Sequence, residues 1–170
     1  MKKITILMLT FISISFFQVN AQDTCATAQG ITAGTYTVST IDGTQIPLPV
    51  CSSNGTGASN GEWYSYTSTI NVNVTVTTDL QVNICKDTRI QVYTGSCDAL
   101  VCITGDDDSG VIQCTTNNNT SYLSVANFTA MAGVTYYIAF DDKWSDSGFD
   151  FDLIESEYEE PVVPRSEEHT

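Results

Sequence analysis

The chain is poor in positive charge. Its 170 residues hold six Lys and Arg against 20 Asp and Glu, for a formal charge of −14 and a pI near 4.1. Nucleic acid is held through clustered Lys and Arg, so no nucleic-acid partner is expected. The same sign opposes adhesion to anionic lipid. Histidine is scarcer still, with His169 the single copy. A Ser or Cys nucleophile needs a positioned base, and this inventory offers almost none, so the chain is read as a non-enzyme. No Cys-x-x-Cys pair occurs, which argues against tetrahedral zinc. No stretch keeps a helical 3.6-residue repeat, and no run beyond the first 17 residues is apolar enough for membrane insertion. At 42% hydrophobic and 10% aromatic, the chain is still too apolar to be a disordered acidic tail.

What is present begins with a leader. Lys2 and Lys3 precede an apolar run to Phe17, and Val19-Asn20-Ala21 supplies small residues around a cleavage site. This predicts a signal peptide over 1–21 and a secreted, extracellular or cell-surface product. At the other end, 165–170 reads RSEEHT, a translation of the start of a common sequencing adapter. Those six residues are expected to be an artefact, which would remove His169 and Arg165 and leave Lys86, Arg89 and Lys143 as the cations of the mature part. Residues 155–164, ESEYEEPVVP, predict an acidic, Pro-bearing linker to further domains of the same chain. The folded unit is therefore placed at 22–154.

Within it, short alternating runs rich in Val, Ile, Thr and Tyr predict strands over 34–40, 62–67, 71–78, 89–94, 100–104, 121–128, 134–140 and 148–154. Val72, Val74 and Val76 face one way while Asn73, Thr75 and Thr77 face the other. Val134, Tyr136, Ile138 and Phe140 alternate likewise, as do Phe149, Phe151 and Leu153 against Asp150 and Asp152. One buried and one wet face per strand predicts an all-β fold, an antiparallel, jelly-roll-like sandwich of about eight strands. Trp63, in an alternating run, is placed in the core.

All six cysteines (Cys25, Cys51, Cys85, Cys97, Cys102 and Cys114) follow the leader, which predicts three disulfides. Cys97 and Cys102 flank a short turn and are the easiest to join. Cys25 with Cys51 and Cys85 with Cys114 complete the expected set, one of 15 connectivities possible for six cysteines.

The densest chemistry is acidic. Asp106, Asp107 and Asp108 adjoin in one predicted loop, with Asp141, Asp142 and Asp146 in another. If the two loops share one end of the sandwich, their hard oxygens suit Ca²⁺. Adjacent carboxylates repel unless a cation or solvent screens them. The competing reading is a solvated acidic turn held by side-chain hydrogen bonds to local amides. Asp87, ahead of Thr88 and a strand, reads as a structural tie between loops. Trp144 lies among Asp and Ser, where its ring could stack on a sugar or fold down over the sandwich end.

Four segments in order carry a further likeness: GEWYSYT at 61–67, DTRIQVYTGSC at 87–97, LVCITGDDDSG at 100–110 and AGVTYYIAFDDKWSDSGFDFDL at 132–153. They resemble bacterial pre-peptidase C-terminal-like (PPC-like) domains, in the cysteine-containing version found in secreted multidomain proteins of Bacteroidota. The resemblance implies a jelly-roll β-sandwich that serves as a non-catalytic accessory module beside peptidases, adhesins or type IX secretion sorting domains. Asp106 departs from the pattern, which commonly has Gly or Asn there. The expected function is an extracellular binding module with Ca²⁺-stabilised loops, its partner a polysaccharide or protein. The alternatives are a structural spacer without a ligand and the leading fragment of a secreted hydrolase.

Overall fold

A computed structural model describes residues 22–116 and 118–160 of the chain. The expected signal segment, residues 161–164 of the expected linker and the adapter-like 165–170 lie outside them. Nine strands run in chain order: β1 Gln29–Ile31, β2 Gly34–Thr40, β3 Gly61–Thr67, β4 Val72–Thr77, β5 Arg89–Ser96, β6 Ala99–Asp107, β7 Val125–Ala130, β8 Thr135–Asp141 and β9 Ser147–Glu157. They form a five-stranded sheet, β1-β3-β8-β5-β6, packed on a four-stranded sheet, β2-β9-β4-β7. Among the described residues only the β1–β3 pair is parallel. Every connection but β5–β6 crosses from one sheet to the other, so the chain wraps a sandwich.

The inner faces meet in one apolar core. Val72, Val74 and Val76 of β4 pack with Phe149, Phe151 and Leu153 of β9, against Ile90, Val92, Ile138 and Phe140 of the facing sheet. Tyr64, Phe140 and Phe151 lie edge to face or tilted, with centroids 4.7–5.9 Å apart, the arrangement their ring quadrupoles favour. In the four-stranded sheet the alternation holds, and the outer face is polar: Thr37 and Thr35 donate to Asp150 and Asp152 at 2.6 Å.

The five-stranded sheet departs from the expectation of one wet face. The stretches 22–28 and 41–60, on either side of β1 and β2, cross its outer side, so β3 and β5 are buried on both faces. Trp63 is core, as expected, but in this second layer, with Tyr93, Ala139 and Cys25. Its indole Nε1 donates to the carbonyl of Gln45 at 2.9 Å in the covering segment. Gly61 and Gly105 have no room for a Cβ, which would lie 2.5 Å from Pro47 Cδ and from the Ser52 amide nitrogen. The close approach of the covering segment therefore requires glycine at both positions.

The cysteine pairing differs from the expectation in two of three bonds. Cys25 joins Cys97, Cys51 joins Cys102, and Cys85 joins Cys114 as expected. In the β5–β6 hairpin Ser96 faces Ala99, so Cys97 sits in the turn, while Cys102 lies three rungs away opposite Tyr93. Nearness in sequence therefore does not bring Cys97 and Cys102 together. Each reaches outward to the covering segment instead. Two boundaries also shift. β9 continues to Glu157, with Glu155 and Glu157 paired to Val74 and Val72, three residues into the expected linker. Residues 121–124 are not strand but a buried tie, in which the Ser124 hydroxyl donates to the Thr88 carbonyl at 2.6 Å.

Candidate metal centre

The start of β5 and the end of β6 are neighbours, because Arg89 is in register with Asp107. Asp87 precedes β5 and is fixed by Thr88, whose amide donates to the Tyr122 carbonyl at 3.0 Å and whose hydroxyl meets Thr78 Oγ1 at 2.6 Å. Asp108 follows β6 with φ of 81°, a left-handed conformation that few residues besides Asn, Asp and Gly tolerate. Together these constraints gather Asp87, Asp107 and Asp108, with one carboxylate oxygen of each within 4.8 Å of the others.

Asp107 Oδ2 accepts from Asn54 Nδ2 at 2.7 Å and from Trp144 Nε1 at 3.1 Å. Its Oδ1, and Oδ1 of Asp87, are buried with no hydrogen-bond partner among the described residues. Burial, followed by the charges of Asp108 and Asp107, pushes the Asp87 carboxyl up to about 6. Burial, followed by Asp107 and Asp106, pushes Asp108 up to about 6 as well. Two unit charges at this spacing repel by about 3–4 kcal/mol at an effective dielectric of ~20. A divalent cation would relieve both the repulsion and the unpartnered oxygens. Three carboxylates among otherwise neutral donors suit a hard ion that completes its shell with water, so the residues fit Ca²⁺.

The other expected ligands are engaged elsewhere. Asp106 accepts from the Val125 amide at 2.7 Å and the Ser109 amide at 3.1 Å, and also from the Ser109 hydroxyl, so it holds a turn. Asp141 is buried against Arg89: Nε donates to Oδ1 and Oδ2 at 3.0 and 2.9 Å, and Nη2 lies 2.8 Å from Oδ2 in a charge contact without hydrogen-bond alignment. Gln91 Nε2 adds a bond at 3.0 Å. Burial pulls the Asp142 carboxyl up, but donation from the amides of Asn60 and Ser59 outweighs it and holds the group below its ordinary value. Asp146 is exposed and serves through its carbonyl, which accepts from Ile41 N and Thr40 Oγ1. Asp87, expected only as a loop tie, stands in the cluster. The pairing of β5 with β6 brings it there, and spacing alone does not reveal that pairing.

A second acidic group, Asp23, Asp42 and Glu62, was not expected. Glu62 Oε1 accepts from the amides of Asp42 and Gly43, so this group fastens the covering segment to β3.

Trp144 stands beside the first cluster with half of its surface exposed. The Lys143 ammonium lies 4.9 Å from its ring centroid and donates to the carbonyls of Asn54, Gly55 and Thr56. The indole is thus pinned by its nitrogen to Asp107 and by its face to Lys143, with the rest of the ring open to solvent.

No family model and no curated protein matches the chain. Among solved structures it is similar to the pre-peptidase C-terminal domain of collagenase from Bacillus anthracis, at 16% identity and a TM-score of 0.38, over 76% of this chain and 94% of that one. The β-sandwich itself is read from this chain's own strand pairing.

Proposed function

We propose that the chain is a non-catalytic accessory module of a larger exported protein, which binds an extracellular polysaccharide or protein at a loop end stiffened by Ca²⁺. The observation that carries the reading is the pair of buried, unpartnered oxygens on Asp87 and Asp107, beside the carboxylate of Asp108. Asp107 also holds the Trp144 indole, so an ion there would fix an exposed aromatic ring of the kind that stacks on sugars. Three disulfides suit an oxidising, extracellular setting.

The test is thermal melting of the disulfide-bonded chain in Ca²⁺ and in EDTA. A ligand present at 100 times its Kd stabilises the native state by about 2.7 kcal/mol. A rise of several degrees in Ca²⁺, lost in Asp87→Asn, supports the site. Equal melting in both removes calcium, and if a glycan array is also blank, the structural spacer becomes the better reading.

A further inference from the structure

We propose that the free edge of β6 is a docking site for an extended, β-branched segment of a partner protein with basic residues at its ends. This inference is independent of the cation site.

The sandwich has four edge strands, β1, β6, β2 and β7, and an edge offers a row of backbone donors and acceptors to any strand that can reach it. β1 has three residues, while β6 has nine and pairs only with β5. Natural edges are usually blunted by Lys, Pro or inward charge. The stretch Ala99-Leu100-Val101-Cys102-Ile103-Thr104 has none of these. Val101 is 56% exposed and Ile103 42%, so two β-branched side chains of this edge stand open to a partner. The register shift opposite Val92 and Tyr93 places Ile103 in a bulge, leaving Ala99–Cys102 as the straight part of the edge. Through Cys51, Cys102 also holds the covering segment.

Charge selects the occupant. The edge is bounded by Asp98 and Asp106. A second copy paired antiparallel along this edge would bring Asp98 of each chain toward the acidic 106–108 end of the other, and like charges brought together across paired strands are destabilising. It would also join two molecules of formal charge −14. A segment with Lys or Arg at both ends meets the same carboxylates favourably, and its β-branched centre packs on Val101 and Ile103. Main-chain pairing supplies affinity and the side chains supply selectivity. One added strand is a small interface, so binding is weak and transient.

The test uses the full disulfide-bonded chain and a fluorescein-labelled peptide, Lys-Thr-Val-Thr-Val-Thr-Lys, followed by fluorescence anisotropy and amide hydrogen exchange. The expected Kd is on the order of 10–100 μM at low salt, with amide exchange slowed over 99–104. Glu in place of the terminal Lys residues, or N-methylation of alternate peptide amides, should weaken binding at least about tenfold. Val101→Lys and Ile103→Lys, both exposed and therefore compatible with the fold, should each do the same with the melting temperature unchanged. Absence of binding at about 1 mM peptide overturns the proposal, as does binding that survives these changes or protects amides elsewhere. Sedimentation that reveals a dimer dissociated by Val101→Lys would assign the edge to a second copy and overturn it too.

Discussion

Replacing Asp141 with Ala would leave Arg89 as a buried cation with no counter-charge. The two side chains are 1% and 0% exposed. The carboxylate receives Arg89 Nε, Gln91 Nε2 and the Lys143 amide, so the variant also orphans a buried amide group. Breaking a buried pair from one side costs about 3–5 kcal/mol, most of it the penalty of the stranded charge. For a domain of this size, each kcal/mol shifts the melting temperature by roughly 3 °C, so a fall of about 10–15 °C is expected. Calorimetry of the disulfide-bonded variant in EDTA measures it without interference from any bound cation. A double variant, Arg89→Met with Asp141→Leu, should recover most of the loss, because apolar replacement of a buried ion pair is often neutral. A fall below about 3 °C for Asp141→Ala, or a double variant no better than the single one, would refute the claim that the guanidinium is desolvated and depends on this carboxylate.

Other outcomes follow from the same structure. Asp87 and Asp108 titrate near 6 in the folded chain, above their usual 3.8. Their contribution to stability is therefore full below the unfolded pKa and lost as pH rises through about 6. In EDTA the melting temperature should rise as pH falls from about 7.5 to about 5, and Asp87→Asn should flatten that rise; an unchanged slope in the variant would show that other groups produce it. Peptide mapping without reduction should show Cys25 joined to Cys97 and Cys51 to Cys102; a fragment closed by Cys97 and Cys102 would contradict the fold's outer layer. Acrylamide should quench Trp144 and spare Trp63, so Trp144→Phe should leave blue-shifted, poorly quenched emission; strong residual quenching would mean that the covering segment does not seal Trp63.

Alternation made the four-stranded sheet legible from sequence: the Val72, Val74, Val76 run and the Phe149, Phe151, Leu153 run each bury one face and wet the other. The five-stranded sheet was less legible because its outer face is also covered. Tyr137 and Ala139 look like the solvent side of β8, yet they pack beneath a segment that has no strand pattern of its own. That segment is tied down by single side chains, such as Gln91, whose Oε1 accepts from the amides of Cys51 and Ser52, and such ties leave no periodic trace. The same limit applies to the acidic site. Asp107 and Asp108 stood out as a run, whereas Asp87 joins them only through strand register. Asp141 and Asp142 looked like ligands because sequence does not show that Arg89 and the amides of Ser59 and Asn60 already occupy them.

The placement of the disulfides bears on how the domain would carry load. The Gln22 carbonyl accepts from Trp63 N near the start of β3, while Glu157 pairs with Val72 beyond the far end of that strand. Tension applied between the two would stretch the sandwich from end to end. The Cys25–Cys97 bond spans 72 residues and short-circuits them, so tension passes from the covering segment directly into the β5–β6 turn. At roughly 3.4 Å per extended residue, about 240 Å of slack is locked out of the tensile path, and only the portion beyond Cys97 can pay out until that bond is reduced.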